Sequence, residues 1–139
     1  MSLHDETELL RSVPPFATLE SAKLKLLAFA SERLQYAAAE TLVTQGEIGD
    51  SVYVIISGTV DVTLESGGEE RFIRAMGEHA FIGEVAVLEN TPRTATVTAK
   101  TDVVALKISK DVLFRMIQDL PDLGIRISRH QAKAGYVFE

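Results

Sequence analysis

The densest chemistry in these 139 residues lies in one stretch, Phe81-Ile82-Gly83-Glu84-Val85-Ala86-Val87-Leu88-Glu89-Asn90-Thr91-Pro92-Arg93-Thr94-Ala95-Thr96-Val97. Gly83 permits a sharp turn and a close backbone approach. Glu84 to Leu88 has the length of one short helical turn, whose free N–H groups point at whatever precedes it. Such an end attracts anions. Asn90-Thr91-Pro92 breaks the helix, and from Arg93 onward Ala95, Val97 and Ala99 alternate with Thr94, Thr96 and Thr98 as in a strand. An arginine at a strand's start, returning towards a helix N-terminus, offers a planar fork of donors to a phosphate whose other oxygens take backbone N–H groups. Glu84 is a poor partner for a phosphate and a good one for a neighbouring hydroxyl, which a sugar supplies. Ala86 and Ala95 leave room for a ligand. No nucleophile here has a base beside it, so the segment reads as a binder and not as a catalyst.

Taken singly, each residue has an ordinary explanation. Glu84 in a first helical turn suits the helix dipole. A lone Arg93 is a surface charge worth little. Their joint spacing and small flanking residues carry the argument. His79 stands just before the segment, but His4 and His130 lie at the chain ends and there is no cysteine. That shortage counts against a jelly-roll metalloenzyme, which needs several histidines and a glutamate converging inside the barrel.

Gly83-Glu84-Val85-Ala86 followed by Pro92-Arg93-Thr94-Ala95-Thr96-Val97, with Glu84 and Arg93 nine positions apart, resembles the phosphate-binding cassette of cyclic nucleotide-binding domains. That family includes the catabolite activator proteins, the regulatory subunits of cyclic AMP-dependent kinase and the cyclic nucleotide-gated channels. Gly46-Glu47-Ile48-Gly49-Asp50-Ser51-Val52-Tyr53-Val54-Ile55-Ile56-Ser57-Gly58-Thr59-Val60 is similar to the family's early strands with their glycine-bounded turns. Val13-Pro14-Pro15-Phe16-Ala17-Thr18-Leu19 resembles its helical entry. The likeness runs from Leu9 to Ile127. It implies that Arg93 takes the cyclic phosphate with backbone N–H groups from Glu84 to Ala86 and of Ala95, and that Glu84 accepts from the ribose 2′-hydroxyl. Thr94 would permit cyclic GMP without excluding cyclic AMP. A residue of the closing helix would cover the base, with Ile127, Arg129 and His130 as candidates. The chain departs from the family pattern at Ala39 and His79, where glycine is frequent, and at Ile82, where phenylalanine is common.

The bounds agree with a single regulatory domain spanning residues 1–139. The chain is long enough for one core, and its 46% hydrophobic and 24% charged residues are those of a soluble globular protein. No run approaches the ~20 apolar residues of a spanning helix. Asp5, Glu6 and Glu8 stand where a secretory signal needs positive charge, and the absence of cysteine suits a reducing compartment, so a cytoplasmic protein is expected. A net charge of -6 argues against direct nucleic-acid binding. No cofactor is implied beyond the cyclic nucleotide ligand. The remaining partners would be a second copy of the chain or an effector not contained in it.

The elements that must position the cassette follow from periodicity. Residues 1–38 read as N-terminal helices, with Leu19, Leu24, Leu27, Ala30 and Leu34 giving a stripe over Thr18 to Leu34. Residues 39–108 read as a mainly β body, a jelly roll of about eight short strands carrying the cassette at 81–97. Within it, Ser51 to Ser57 is apolar enough to be covered on both faces. Val60, Val62 and Leu64 alternate with polar residues, and Ser66-Gly67-Gly68 is a hairpin turn. Residues 109–139 return to helix. Ser109 can cap a stripe of Leu113, Met116, Ile117 and Leu120, and Pro121 can open a further helix.

Overall fold

In the computed structural model, which describes residues 2–134, helix α1 (Leu3–Arg11) opens with a capping box. The Ser2 hydroxyl accepts from the Asp5 N–H at 3.2 Å and the Asp5 carboxylate accepts from the Ser2 N–H at 3.2 Å. Pro14–Phe16 forms a single 3-10 turn, and α2 follows over Ser21–Ala30. This helix is shorter than its periodicity suggests. Ser31 is extended, and both its N–H and its hydroxyl donate to the Ala28 carbonyl, which closes the last turn. Leu34, the last member of the expected stripe, belongs to strand β1 (Glu32–Tyr36). The helical stretch expected to reach residue 38 therefore ends at Ala30, because Leu34 and Tyr36 satisfy a two-residue period as well as Leu27 and Leu34 satisfy a helical one.

The β body consists of β1 with β2 (Thr41–Val43), β3 (Ser51–Ser57), β4 (Val60–Ser66), β5 (Glu69–Met76), β6 (Phe81–Ile82), β7 (Thr96–Ala99) and β8 (Val103–Ser109). They form two four-stranded sheets, β1-β8-β3-β6 and β2-β7-β4-β5, with every recorded pairing antiparallel. The eight strands in two sheets, flanked by helices, are the architecture expected from the sequence. Gly67 and Gly68, both at positive φ, turn β4 into β5 and pair Ser66 with Glu69. Helix α3 (Glu84–Glu89) interrupts the strands between β6 and β7. Helices α4 (Lys110–Asp119) and α5 (Pro121–Ala134) complete the described chain, α4 with Ser109 as its cap.

The apolar residues divide into two clusters on the two faces of the sheet holding β3. Val52, Val54, Phe81, Leu106 and Ile108 face the helices, where they meet Leu10, Phe16, Leu24, Leu27, Leu113, Leu123 and Ile127. Tyr53, Ile55, Ile82, Val103 and Ala105 face the interior of the roll, where they meet Val43, Val60, Val62, Val97 and Ala99. Strand β3 is covered on both sides, as its apolar run requires. The single core expected from chain length is thus two, with one sheet as the wall between them.

Candidate functional site

The cassette starts at Gly83, which is the N-cap of α3 and sits at φ +90°. Only glycine takes that conformation without strain. It is also needed for space, since a Cβ at this position would run into Arg93 Nη1 and approach the Ser51 carbonyl oxygen to 3.3 Å. Gly49 has a similar task, because a Cβ there would stand 2.6 Å from the Ala86 Cβ and 3.3 Å from Arg93 Cζ. Two glycines, one on each side, therefore make the slot that the guanidinium fills.

Arg93 itself precedes β7, which begins at Thr96, and does not open it as alternation suggested. Its backbone is held by a distant loop. The Arg93 N–H donates to the Glu47 carbonyl at 2.7 Å, the Gly46 N–H donates to the Arg93 carbonyl at 2.9 Å, and Pro92 bridges to Ile48. The side chain is 6% exposed. Nη1 donates to the Gly83 carbonyl at 3.0 Å and Nη2 to the Ser51 carbonyl at 2.8 Å. Burial pulls the guanidinium below its ordinary pKa, and Tyr53, Asp50, Glu47 and Glu84 oppose that shift. Behind it the buried Ser51 hydroxyl donates to the Asp50 carboxylate at 2.9 Å and lies 3.3 Å from the Tyr53 hydroxyl.

Glu84, at the first position of α3, is 1% exposed, and its Oε1 is buried without a hydrogen-bond partner. Burial pushes this carboxyl up to about 7, against smaller downward effects of its own backbone N–H and of Arg93. A buried acceptor left unpaired costs free energy, so Oε1 is suited to a hydroxyl donor. Gly83, Glu84, Val85, Ala86, Arg93, Thr94 and Ala95 all line one cleft of about 510 Å³, counting its open mouth. Every candidate ligand residue read from the cassette is thus brought together. Val43, Val62, Met76, Ile82 and Val97 complete an apolar wall. A cation, an unpaired carboxyl oxygen and an apolar wall lining one cleft are matched to a small anion bearing hydroxyls and a flat apolar part.

The model of the cyclic nucleotide-binding domain family matches residues 33–119, more than half of the chain. The chain belongs to that family. It is a family of regulatory binding domains and not of enzymes. The chain is 31% identical over 125 residues to a cAMP-dependent protein kinase regulatory subunit of Blastocladiella emersonii, a match that takes in 89% of this chain and 31% of that protein. The chain therefore spans about a third of that relative's length. Among solved structures, the cAMP-bound regulatory domain of Toxoplasma gondii PKA superposes with a TM-score of 0.79 at 26% identity, over 84% of this chain and 45% of the other. The regulatory subunit of a cAMP-independent protein kinase A from Trypanosoma brucei superposes with a TM-score of 0.78 at 25% identity, over 95% of this chain and 53% of the other.

Several features of this cyclic nucleotide-binding domain were not singled out from the sequence. Ser51 contributes a carbonyl, Gly49 contributes the lack of a Cβ, and Gly46 and Glu47 contribute backbone groups. None of these roles has a side-chain signature, although the glycine spacing of 46–49 marked a tight turn. Of the three residues considered as a cover for the base, Ile127 is fully buried in the helix-side cluster and does not line the cleft. Arg129 is exposed. The side chain of His130 lies outside the described residues.

Proposed function

We propose that this chain is a cyclic nucleotide sensor whose ligand-binding residues are Gly83, Glu84, Val85, Ala86, Arg93, Thr94 and Ala95. The observation that carries the proposal is the pairing of a buried guanidinium with a buried carboxyl oxygen that lacks a partner, on the same small cleft. Arg93 clasps the cyclic phosphate together with N–H groups at the start of α3 and of Ala95, and Glu84 accepts from the ribose 2′-hydroxyl. The base lies along the apolar wall. Thr94 lines the cleft, and its ability to serve a guanine or the phosphate permits cyclic GMP without excluding cyclic AMP.

Signalling then needs a difference in affinity between two conformations. Lys110 links the pieces. Its backbone N–H donates to the Asp50 carbonyl at 2.8 Å, and its ammonium donates to Asn90 Oδ1 at the end of α3 at 3.1 Å. A cassette that tightens on a phosphate would pull on the start of α4 through this residue and shift α4 and α5, presenting the change to a second copy or to an effector outside this chain. A cytoplasmic setting suits a cysteine-free chain with such a ligand, and no described helix is long and apolar enough to cross a membrane.

A second reading, a nonbinding domain kept for docking, is favoured by one observation. Arg93 is already satisfied by two backbone carbonyls. Calorimetric titration with cyclic AMP and cyclic GMP decides between them. Saturable binding of either below the millimolar range supports the sensor. An absence of heat for both at millimolar concentration removes it, and the docking reading then requires partner binding that survives replacement of Glu84 and Arg93.

A further inference from the structure

This inference deepens the proposed nucleotide reading and rests on it. Glu84 is a carboxyl buried inside an anion site, and the charged group that faces it is Arg93. Glu47 and Asp50 on the loop before β3, and Tyr53 of β3, act on Arg93 instead. The terminal nitrogens of the guanidinium donate to the Gly83 and Ser51 carbonyls. The carboxylate therefore receives the field of that cation without a recorded hydrogen bond from it, and Oε1 stays unpartnered. Burial accordingly holds the group near neutrality, at about 7.

An arriving cyclic phosphate brings one negative charge into this cleft. It cancels the cation whose field favoured the carboxylate, and it adds a repulsion that the buried surroundings screen poorly. With Glu84 ionised, the cleft would hold one net negative charge; with Glu84 neutral, guanidinium and phosphate balance. A ribose hydroxyl acts in the opposite sense, since an ionised acceptor makes the stronger hydrogen bond. A neutral carboxyl nevertheless keeps a carbonyl oxygen that accepts from the same hydroxyl, so that bond is weakened and not lost. The charge balance is the larger effect.

We propose that nucleotide binding draws a proton from solvent onto Glu84, so that anion and proton are taken up together. Reciprocity requires the converse: the protonated domain binds the nucleotide more tightly. Affinity is then level at pH values well below 7 and falls as pH rises through the interval between the free and the liganded pKa of Glu84, by up to about tenfold per pH unit within it.

The test is calorimetry of the full chain with cyclic AMP and cyclic GMP from pH 5.5 to 8.5, in pairs of buffers that differ in ionisation enthalpy. The expected results are a buffer-dependent enthalpy showing uptake of about half a proton per site near pH 7, and a Kd about five- to tenfold weaker at pH 8.5 than at pH 6.5. Glu84→Gln should remove this slope. Should that variant fail to fold, carbon-13 NMR of the Glu84 carboxyl in the unaltered protein gives the same answer, with its midpoint moving upward when nucleotide is added. Binding with a level pH profile, or with proton release, overturns the coupling and leaves the sensor reading standing. Failure to bind either nucleotide at every pH overturns both.

Discussion

The two faces of the sheet β1-β8-β3-β6 are buried to similar depth by different chemistry. Towards the helices the buried residues are almost wholly aliphatic or aromatic, with Phe16 and Phe81 edge to face at 5.3 Å. Towards the roll's interior, the apolar cluster adjoins three of the four buried polar residues found among the described residues, Ser51, Glu84 and Arg93. One strand, β3, serves both faces, giving Val52 and Val54 to one and Ser51 and Tyr53 to the other. The helix side can therefore stabilise the wall by area alone, while the interior side keeps polar groups that need partners: backbone carbonyls for Arg93, the Asp50 carboxylate for Ser51, and none in the protein for Glu84 Oε1.

That contrast breaks most sharply with a pair of substitutions. Phe16→Ala should cost about 3–5 kcal/mol of stability, the usual range for truncating a fully buried aromatic ring. It should change nucleotide affinity less than threefold under conditions where the variant is still folded, since Phe16 is not part of the cleft. Arg93→Ala should do the reverse in binding, weakening it by on the order of 3–5 kcal/mol because a partly buried phosphate loses its counter-charge. Arg93→Lys should fall between, since an ammonium replaces a fork with a point charge. Thermal melts with calorimetric titrations check both arms. A Phe16→Ala protein that folds but binds as poorly as Arg93→Ala would show that the wall does not separate the two regions.

The same contrast explains what could be read before the fold was known. The cassette was legible because its parts are close in sequence and have a residue-type signature: Gly83, Glu84, Ala86, Arg93 and Ala95. The eight-strand roll was legible from β-period runs between glycines. Strand β1 was not, because Leu34 fits a helical stripe continued from Leu27 as well as it fits β alternation. Nor could alternation reveal that Arg93 lies outside β7, since the residues that hold it, Gly46 and Glu47, act through backbone groups. The two-sided burial of β3 was visible in its apolar run, but not that its faces meet two separate clusters. Ile127 fell in the helix-side cluster because a helical position fixes which wall is faced only once the helix is docked.

A smaller effect sharpens the comparison by isolating the burial of Glu84. The folded state holds this acid above its ordinary value of 4.5, at about 7, so between those values the folded protein binds more protons than the unfolded chain. Stability must then fall as pH rises across that window, and the full penalty, about 3 kcal/mol, is present above it. Glu84→Gln removes the titration. Its stability relative to the unaltered protein should rise from pH 5 to pH 8, as measured by denaturant melts without ligand. A parallel pair of curves would mean that Glu84 is solvated in the folded state and that the cleft is not the poorly screened environment described here.

The smallest effect concerns the turns that lead into each region. Ala39, before β2, has φ +78°, and His79, before β6, has φ +70°. A left-handed backbone at a non-glycine residue carries strain: a Cβ there crowds the following carbonyl at a cost of roughly 1–2 kcal/mol. Glycine relieves that strain but loses more chain entropy on folding, about 0.5–1 kcal/mol. The balance favours Ala39→Gly by about 1 kcal/mol. His79→Gly should gain less, because histidine tolerates this conformation better than alanine does. The turn at His79 is also tied to the interior side of the wall, with its N–H donating to the Ile55 carbonyl at 2.8 Å and the Ile55 N–H donating to the Ala80 carbonyl at 3.0 Å. A change in nucleotide affinity with His79→Gly, and none with Ala39→Gly, would therefore mark the turn before β6 as part of the cassette's setting. Equal, purely thermal gains from both would confine each residue to turn strain.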